Sequence, residues 1–71
     1  MLSDLNIGQS GCVTDILIED PSIRLNLLEM GLVSGSKVTI LLITHNIIVV
    51  EIKNYKLALR KEYASNICVK T

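Results

Sequence analysis

Three side chains of this chain offer chemistry beyond simple charge: Cys12, His45 and Cys68. His45 is the only histidine, and no second ligand stands near it at the spacing of a metal site. The two cysteines lie near opposite ends of the chain and form no Cys-x-x-Cys pair. We therefore interpret His45 as a residue of a His45-Asn46 turn and predict no metal site. Cys12 and Cys68 are interpreted as free, half-buried thiols, with one disulfide between them as the alternative.

Catalysis would need a grouping of residues that the sequence does not provide. A nucleophile needs a neighbouring base, and His45 is the only base of the usual kind. The acidic residues are dispersed, as expected for helix caps and solvated faces. Gly31 and Gly35 lack the Lys-Ser/Thr pair that follows the glycines of a phosphate-binding loop. The sequence predicts no catalytic residue and no cofactor, and therefore a protein that is not an enzyme.

Composition narrows the class of partner. Seven basic and seven acidic residues give no net charge, and two tyrosines are the only aromatic residues. A nucleic-acid binder would carry a basic surface or aromatic stacking platforms, so we expect no nucleic-acid partner. The apolar run 38–52 is shorter than the roughly 20 residues of a spanning helix, so we expect no membrane insertion. The opening residues show no signal peptide, which predicts a cytoplasmic protein.

The pattern along the chain is that of one small β domain over residues 1–71. Ile, Leu and Val dominate its apolar residues, which suits a sheet. Alternation and turn residues predict strands at 12–19, 37–44, 47–52, 55–60 and 67–70. A short helix follows the first strand, and a helical turn at 61–65 precedes the last. About five antiparallel strands favour a mostly β, SH3-like, partly open barrel; an OB-type barrel is the competing architecture.

The helix has recognisable start and stop signals. Asp20 can cap its first amides, and Pro21 fits its first position. Gly31 can end it in the left-handed conformation. We expect one face of the helix to pack on the core. That face consists of Ile23, Leu27 and Met30, broadened by Leu25, Leu28 and Leu32.

The second and third strands carry more apolar residues than one buried face requires. Strict alternation places Ile40 and Leu42 on one face of the second strand, and Leu41 and Ile43 on the other. The helix or the N-terminal segment could cover the second face. The alternative is an exposed apolar patch, with Leu41 and Ile43 meeting a partner or a second copy of the chain.

The order of short motifs along the whole chain resembles the FeoA family. Three stretches carry the resemblance: a leucine-rich opening with a glycine, a Leu-x-x-Met-Gly-Leu-x-x-Gly segment, and a Leu-Ala-Leu-Arg segment followed by Ile-x-Val. In this sequence they are Leu2, Leu5 and Gly8, residues 27–35, and residues 57–60 followed by 67–69. The chain departs from the family pattern at Asn26, Ser34 and Asn54, where the family usually has Arg, Pro and Gly. Asn54 can take the positive φ of a tight turn almost as well as glycine, and we expect it to do so here.

The resemblance implies an SH3-like barrel and an accessory role beside FeoB, a membrane ferrous-iron transporter with a cytoplasmic GTPase domain. It implies that the protein regulates this transporter or helps to assemble it. We expect contacts at the turn after the helix, which runs from Gly31 to Gly35. We also expect contacts at the end of the fourth strand, where Arg60 is a bidentate donor. With the apolar strand face included, the predicted partner-binding residues are Met30, Gly31, Leu32, Gly35, Leu41, Ile43, Leu59 and Arg60.

Two other functions stay open at this stage. One is a regulatory module related to the SH3-like domain that ends iron-dependent repressors. The other is a chaperone that binds ferrous iron weakly.

Overall fold

The computed structural model describes all 71 residues and contains one sheet of five antiparallel strands. The elements are β1 (Ser10–Ile16), α1 (Pro21–Glu29), β2 (Lys37–Ile43), β3 (Ile47–Ile52), β4 (Tyr55–Arg60), α2 (Lys61–Ala64) and β5 (Ile67–Lys70), preceded by a 3-10 turn over Leu2–Asp4. Across the sheet the order is β4-β3-β2-β1-β5, so the sheet is not closed. The predicted mostly β architecture, with a helix after the first strand and a helical turn before the last, is confirmed.

Two hairpins connect β2, β3 and β4. The first turn, at His45 and Asn46, is closed by Thr44, whose amide donates to Ile47 O at 2.8 Å. The second turn contains only Lys53 and Asn54. We expected a positive φ at Asn54, and this is wrong: Lys53 takes it, with φ 53°. A positive φ at the first of two turn residues is typical of a type II′ hairpin turn.

A β-bulge interrupts β2 at Leu41. Ile40 pairs with Val50 of β3, whereas Leu42 pairs with the adjacent Val49, so Leu41 is an extra residue. The bulge breaks the strict alternation expected here. Ile40 is buried, Leu42 is 49% exposed, and Ile43 packs against the core. The expectation that Leu41 and Ile43 form an exposed apolar face is therefore wrong for Ile43.

The core is built only from aliphatic side chains, and no polar residue is buried. Its members come from every strand, from α1 and α2, and from the segments between them. They are Leu2, Leu5, Val13, Ile18, Leu27, Leu32, Val38, Ile40, Ile48, Val50, Ile52, Leu59, Ala64 and Ile67. The N-terminal segment contributes Leu2 and Leu5, and the amide of Gly8 then donates to Ile40 O at 2.8 Å. This hydrogen bond holds the start of the chain on β2.

Helix α1 begins and ends at the residues that the sequence indicated. Oδ1 of Asp20 accepts a hydrogen bond from the Ser22 amide at 2.9 Å, and Gly31 follows the helix with φ +97°. Only Leu27 within the helix is fully buried. Leu25 and Leu28 are 55% and 41% exposed, so the expected broadening of the apolar face by these two residues is wrong. No helix of the structure is long and apolar enough to cross a bilayer.

Candidate partner-binding groove

A shallow groove of about 230 Å³ lies between α1, β4 and α2. Three larger concavities exist, of about 270, 450 and 600 Å³, but polar residues make up half or more of the lining of each. The groove is the most apolar concavity of the surface. Its lining consists of Ile23, Asn26, Leu27, Met30, Ala58, Leu59, Arg60 and Tyr63.

The local sequence explains both walls of the groove. On α1, Ile23, Leu27 and Met30 recur at helical spacing and so share one face. Leu27 is 3% exposed, whereas Met30 at the end of the helix is 38% exposed and available to a partner. On β4, Leu59 points inward and is 4% exposed. The groove therefore has a fixed aliphatic base and an accessible rim.

Arg60 supplies the charge at the rim. Its Nη1 lies 3.5 Å from Oε1 of Glu62, and the two side chains are 69% and 64% exposed. An exposed pair at that distance contributes little to stability. The guanidinium thus remains available to bind a carboxylate of a partner in bidentate fashion. Asn26 lines the opposite wall and is the only other polar residue of the groove.

The turn that follows α1 is held against the β3–β4 hairpin. A Cβ built on Gly31 would lie 2.5 Å from Oη of Tyr55, so Tyr55 crosses directly over this glycine. Gly31 therefore meets two requirements, a positive φ and a close approach by an aromatic ring. Sequence reasoning assigned only the first of these, because Tyr55 is distant in sequence.

The structure brings together three of the predicted contact residues, namely Met30, Leu59 and Arg60. Gly31 follows directly after Met30. Leu32, in contrast, is fully buried, and its side chain is part of the core. Gly35 lies apart from the groove at the turn before β2, where its amide donates to Val13 O at 2.7 Å.

The predicted strand patch also lies outside the groove. Leu41 is half-buried at the bulge, and Ile43 packs against the core, so Leu42 is the well-exposed apolar residue of β2. The groove includes five residues that were not predicted as contacts: Ile23, Asn26, Leu27, Ala58 and Tyr63. Ile23 and Leu27 were recognisable by their helical spacing, whereas the other three carry no sequence signal for this site.

The histidine, the cysteines and the acidic residues do not come together in one site. No group of three or more His, Cys, Asp and Glu side chains is arranged to hold a metal ion. Both cysteines are free, but only Cys68 is half-buried as expected, because Cys12 is exposed. Cys12 pairs across the sheet with Lys70, and Cys68 pairs with Asp15. Sγ of Cys68 lies 3.6 Å from Sδ of Met1.

Comparisons with known proteins agree with this architecture. The family model described as the FeoA domain matches residues 1–71. A comparison with curated protein sequences found no match. The solution structure of the FeoA protein from Chlorobium tepidum is 32% identical, with a TM-score of 0.90 over 97% of this chain and 67% of that one.

Two further solved structures have a fold similar to that of this chain. The zinc complex of FeoA from Stenotrophomonas maltophilia, described as a prokaryotic SH3 domain protein, is 26% identical, with a TM-score of 0.81 over 97% of this chain and 87% of that one. IdeR of T. acidophilum is 18% identical, with a TM-score of 0.88 over 99% of this chain and 32% of that one, and it shares the fold alone. The predicted SH3-like fold is confirmed. With the family model matching from the first residue to the last, the chain belongs to the FeoA family.

Proposed function

We propose that this protein is a non-enzymatic accessory protein of ferrous iron uptake that acts in the cytoplasm. In this proposal it binds the cytoplasmic side of a FeoB-type membrane GTPase-transporter and regulates or helps to assemble it. The observation that carries the proposal is the apolar groove with Arg60 at its rim, in a chain of the FeoA family. Exposed apolar surface that is rimmed by polar residues is typical of protein interaction sites.

Two features of relatives support the role in iron uptake. One solved FeoA structure, 27% identical, carries the name iron uptake regulatory protein. The Stenotrophomonas maltophilia protein is presented as a candidate activating factor of ferrous iron transport. A regulatory partner of a transporter needs a specific contact surface and no reaction chemistry. The dispersed polar residues and the apolar groove suit that need.

A binding assay with two matched variants tests the proposal. The purified protein is titrated with the cytoplasmic region of a FeoB-type transporter by calorimetry, and retention on the immobilised region is measured in parallel. Met30→Glu introduces a charge into the groove and should weaken binding at least about tenfold. Leu28→Glu is the control, because Leu28 is on the same helix and similarly exposed, at 41% against 38%, but does not line the groove.

Each outcome bears on the proposal. Binding at micromolar concentration that Met30→Glu weakens and Leu28→Glu spares would support it. No retention of the unmodified protein would count against the transporter as partner. Equal weakening by both variants would remove the groove from the contact surface.

The two alternatives have direct tests of their own. The fold shared with IdeR favours comparison with a repressor module, and retardation of DNA by the isolated protein would support that function. Saturable one-to-one binding of ferrous ion in anaerobic calorimetry would support the chaperone function.

A further inference from the structure

The outer edge of β4 offers unpaired main-chain groups. β4 is the last strand of the sheet and pairs only with β3. The two-residue turn makes Ile52 and Tyr55 the hydrogen-bonded pair at the hairpin end. Because hydrogen bonding alternates along an antiparallel strand, the amide and carbonyl groups of Lys56 and Ala58 then point away from β3. No backbone hydrogen bond of a turn, loop or cap uses these four groups.

This free edge is also one side of the groove. Ala58, Leu59 and Arg60 line it from β4, and α1 lines it from across. A peptide segment placed there could pair with β4 and lay alternate side chains on Leu59 and on the apolar face of α1. The volume of about 230 Å³ is below the roughly 300–1,000 Å³ of small-molecule sites. The groove therefore suits one or two side chains of a peptide better than a separate ligand.

Cations outnumber carboxylates along this edge. Lys56, Arg60 and Lys61 lie within six residues, against Glu62 beside Arg60 and Glu51 opposite Lys56 on β3. Lys56, Ala58 and Arg60 share the solvent face of β4, opposite to Leu59. An added strand would thus meet aliphatic side chains on one face and cations on the other. Its complement is a segment in which aliphatic and acidic residues alternate.

The same charges argue against a second copy of this chain as the added strand. If two β4 edges paired antiparallel about Ala58, Lys56 of one copy would face Arg60 of the other. Like charges directly opposite each other destabilise a strand pair. A partner with acidic residues at those positions would gain from the same geometry.

We propose that the groove and the edge of β4 together receive an extended segment of a partner protein as a sixth strand, with alternating aliphatic and acidic residues. This mode of recognition draws affinity from main-chain hydrogen bonds and specificity from alternate side chains. The inference rests on the proposed function, because it specifies how the transporter's cytoplasmic region would be held. It differs from that function in naming the backbone of β4 as the contact.

Amide hydrogen exchange followed by NMR tests the inference on the intact protein. The probes are the cytoplasmic region of a FeoB-type transporter and an acetylated peptide that alternates glutamate with valine. Binding of either should slow exchange of the Lys56 and Ala58 amides at least about tenfold, because both become hydrogen-bonded. The same peptide with lysine in place of glutamate should not bind.

Two variants at position 58 distinguish the contribution of the backbone amide to binding from that of the side chain. Ala58→Pro removes an amide that no other group uses, and proline is tolerated on edge strands when its missing N–H faces solvent. It should weaken binding of both probes by roughly tenfold, the effect of a lost hydrogen bond and a blocked edge. Ala58→Ser keeps the amide and a small side chain and should bind like the unmodified protein. If Ala58→Pro fails to fold, the exchange measurement on the unmodified protein still decides.

The outcomes distinguish this inference from the proposed function. Transporter binding without protection of Lys56 and Ala58 would overturn the inference and leave the function in place. Binding of the acidic peptide at these amides, without transporter binding, would support the strand-addition site and reject the transporter. Binding of neither probe would reject both. Protection caused by self-association, seen as a concentration-dependent dimer without any probe, would replace the acidic partner with a second copy.

Discussion

Substitution of Gly31 by alanine should be more damaging than the same substitution at any freely exposed turn. Its φ of +97° places an alanine in a region that costs L-residues about 1–2 kcal/mol. The new Cβ would also lie 2.5 Å from Oη of Tyr55. Because Tyr55 is 43% exposed and can turn aside, we expect this overlap to cost about 1 kcal/mol, the lower end for overpacking. The total loss of unfolding free energy should be about 2–3 kcal/mol.

Two comparisons isolate the contribution of Tyr55. Gly35 has φ +93° and no atom within 4 Å of a built Cβ, so Gly35→Ala should cost only the backbone strain of about 1–2 kcal/mol. Tyr55→Phe removes Oη, which is the atom that the new methyl group would overlap. The nearest remaining ring atom, Cζ, is then at an ordinary contact distance of 3.7 Å from that methyl group. In the Tyr55→Phe background, Gly31→Ala should therefore cost about 1 kcal/mol less than in the unmodified protein.

Urea unfolding followed by far-ultraviolet circular dichroism measures these differences. The midpoints should shift with little change in the slope m, because the surface exposed on unfolding stays nearly the same. A double-mutant cycle over Gly31 and Tyr55 then gives the coupling free energy directly. A coupling near zero, or a Gly31→Ala variant no less stable than Gly35→Ala, would refute the role assigned to Tyr55.

Three further substitutions test the packing, each by the same unfolding assay. Leu27→Ala should lower the unfolding free energy by about 2–5 kcal/mol, whereas Leu25→Ala, on the exposed side of α1, should change it by at most about 0.5 kcal/mol; equal effects would contradict the orientation of the helix. Lys53→Gly should stabilise the protein by about 0.5–1 kcal/mol, because glycine takes the positive φ without strain; a loss of stability would contradict the turn geometry. Ile43→Asp should destabilise by at least about 2 kcal/mol while Leu42→Asp stays within about 0.5 kcal/mol, and the reverse order would contradict the bulge.

The sequence predicted well where a local signal decides the structure. The bounds of β3 and β4 follow from apolar alternation between turn residues, and they agree with the structure. The start of α1 follows from the Asp20-Pro21 cap, and its end from Gly31. In each case the controlling interaction lies within a few residues, so one chain segment contains the whole signal.

Prediction failed where the local conformation or burial depends on an element that is distant in the sequence. Residues 40–43 are all apolar, so periodicity could not reveal that β3 pairs past Leu41 and creates a bulge. Leu25 and Leu28 are apolar, yet the face of α1 that contacts the sheet is set by Leu27. Assigning the positive φ to Asn54 followed residue preference, whereas the register of β3 against β4 places it on Lys53. The groove itself arises from α1 and β4 meeting in space, which no sequence spacing encodes.

The two edges of the open sheet differ in a way that favours β4 as the contact surface. The short edge strand β5 has the N-terminal 3-10 turn against it. β4 is longer and carries Lys56 and Arg60 on its solvent face. Cations on an edge strand discourage pairing with unselected strands, and the same cations attract a strand with carboxylates at the facing positions. One arrangement of two side chains can thus keep the protein from aggregating and also select its partner.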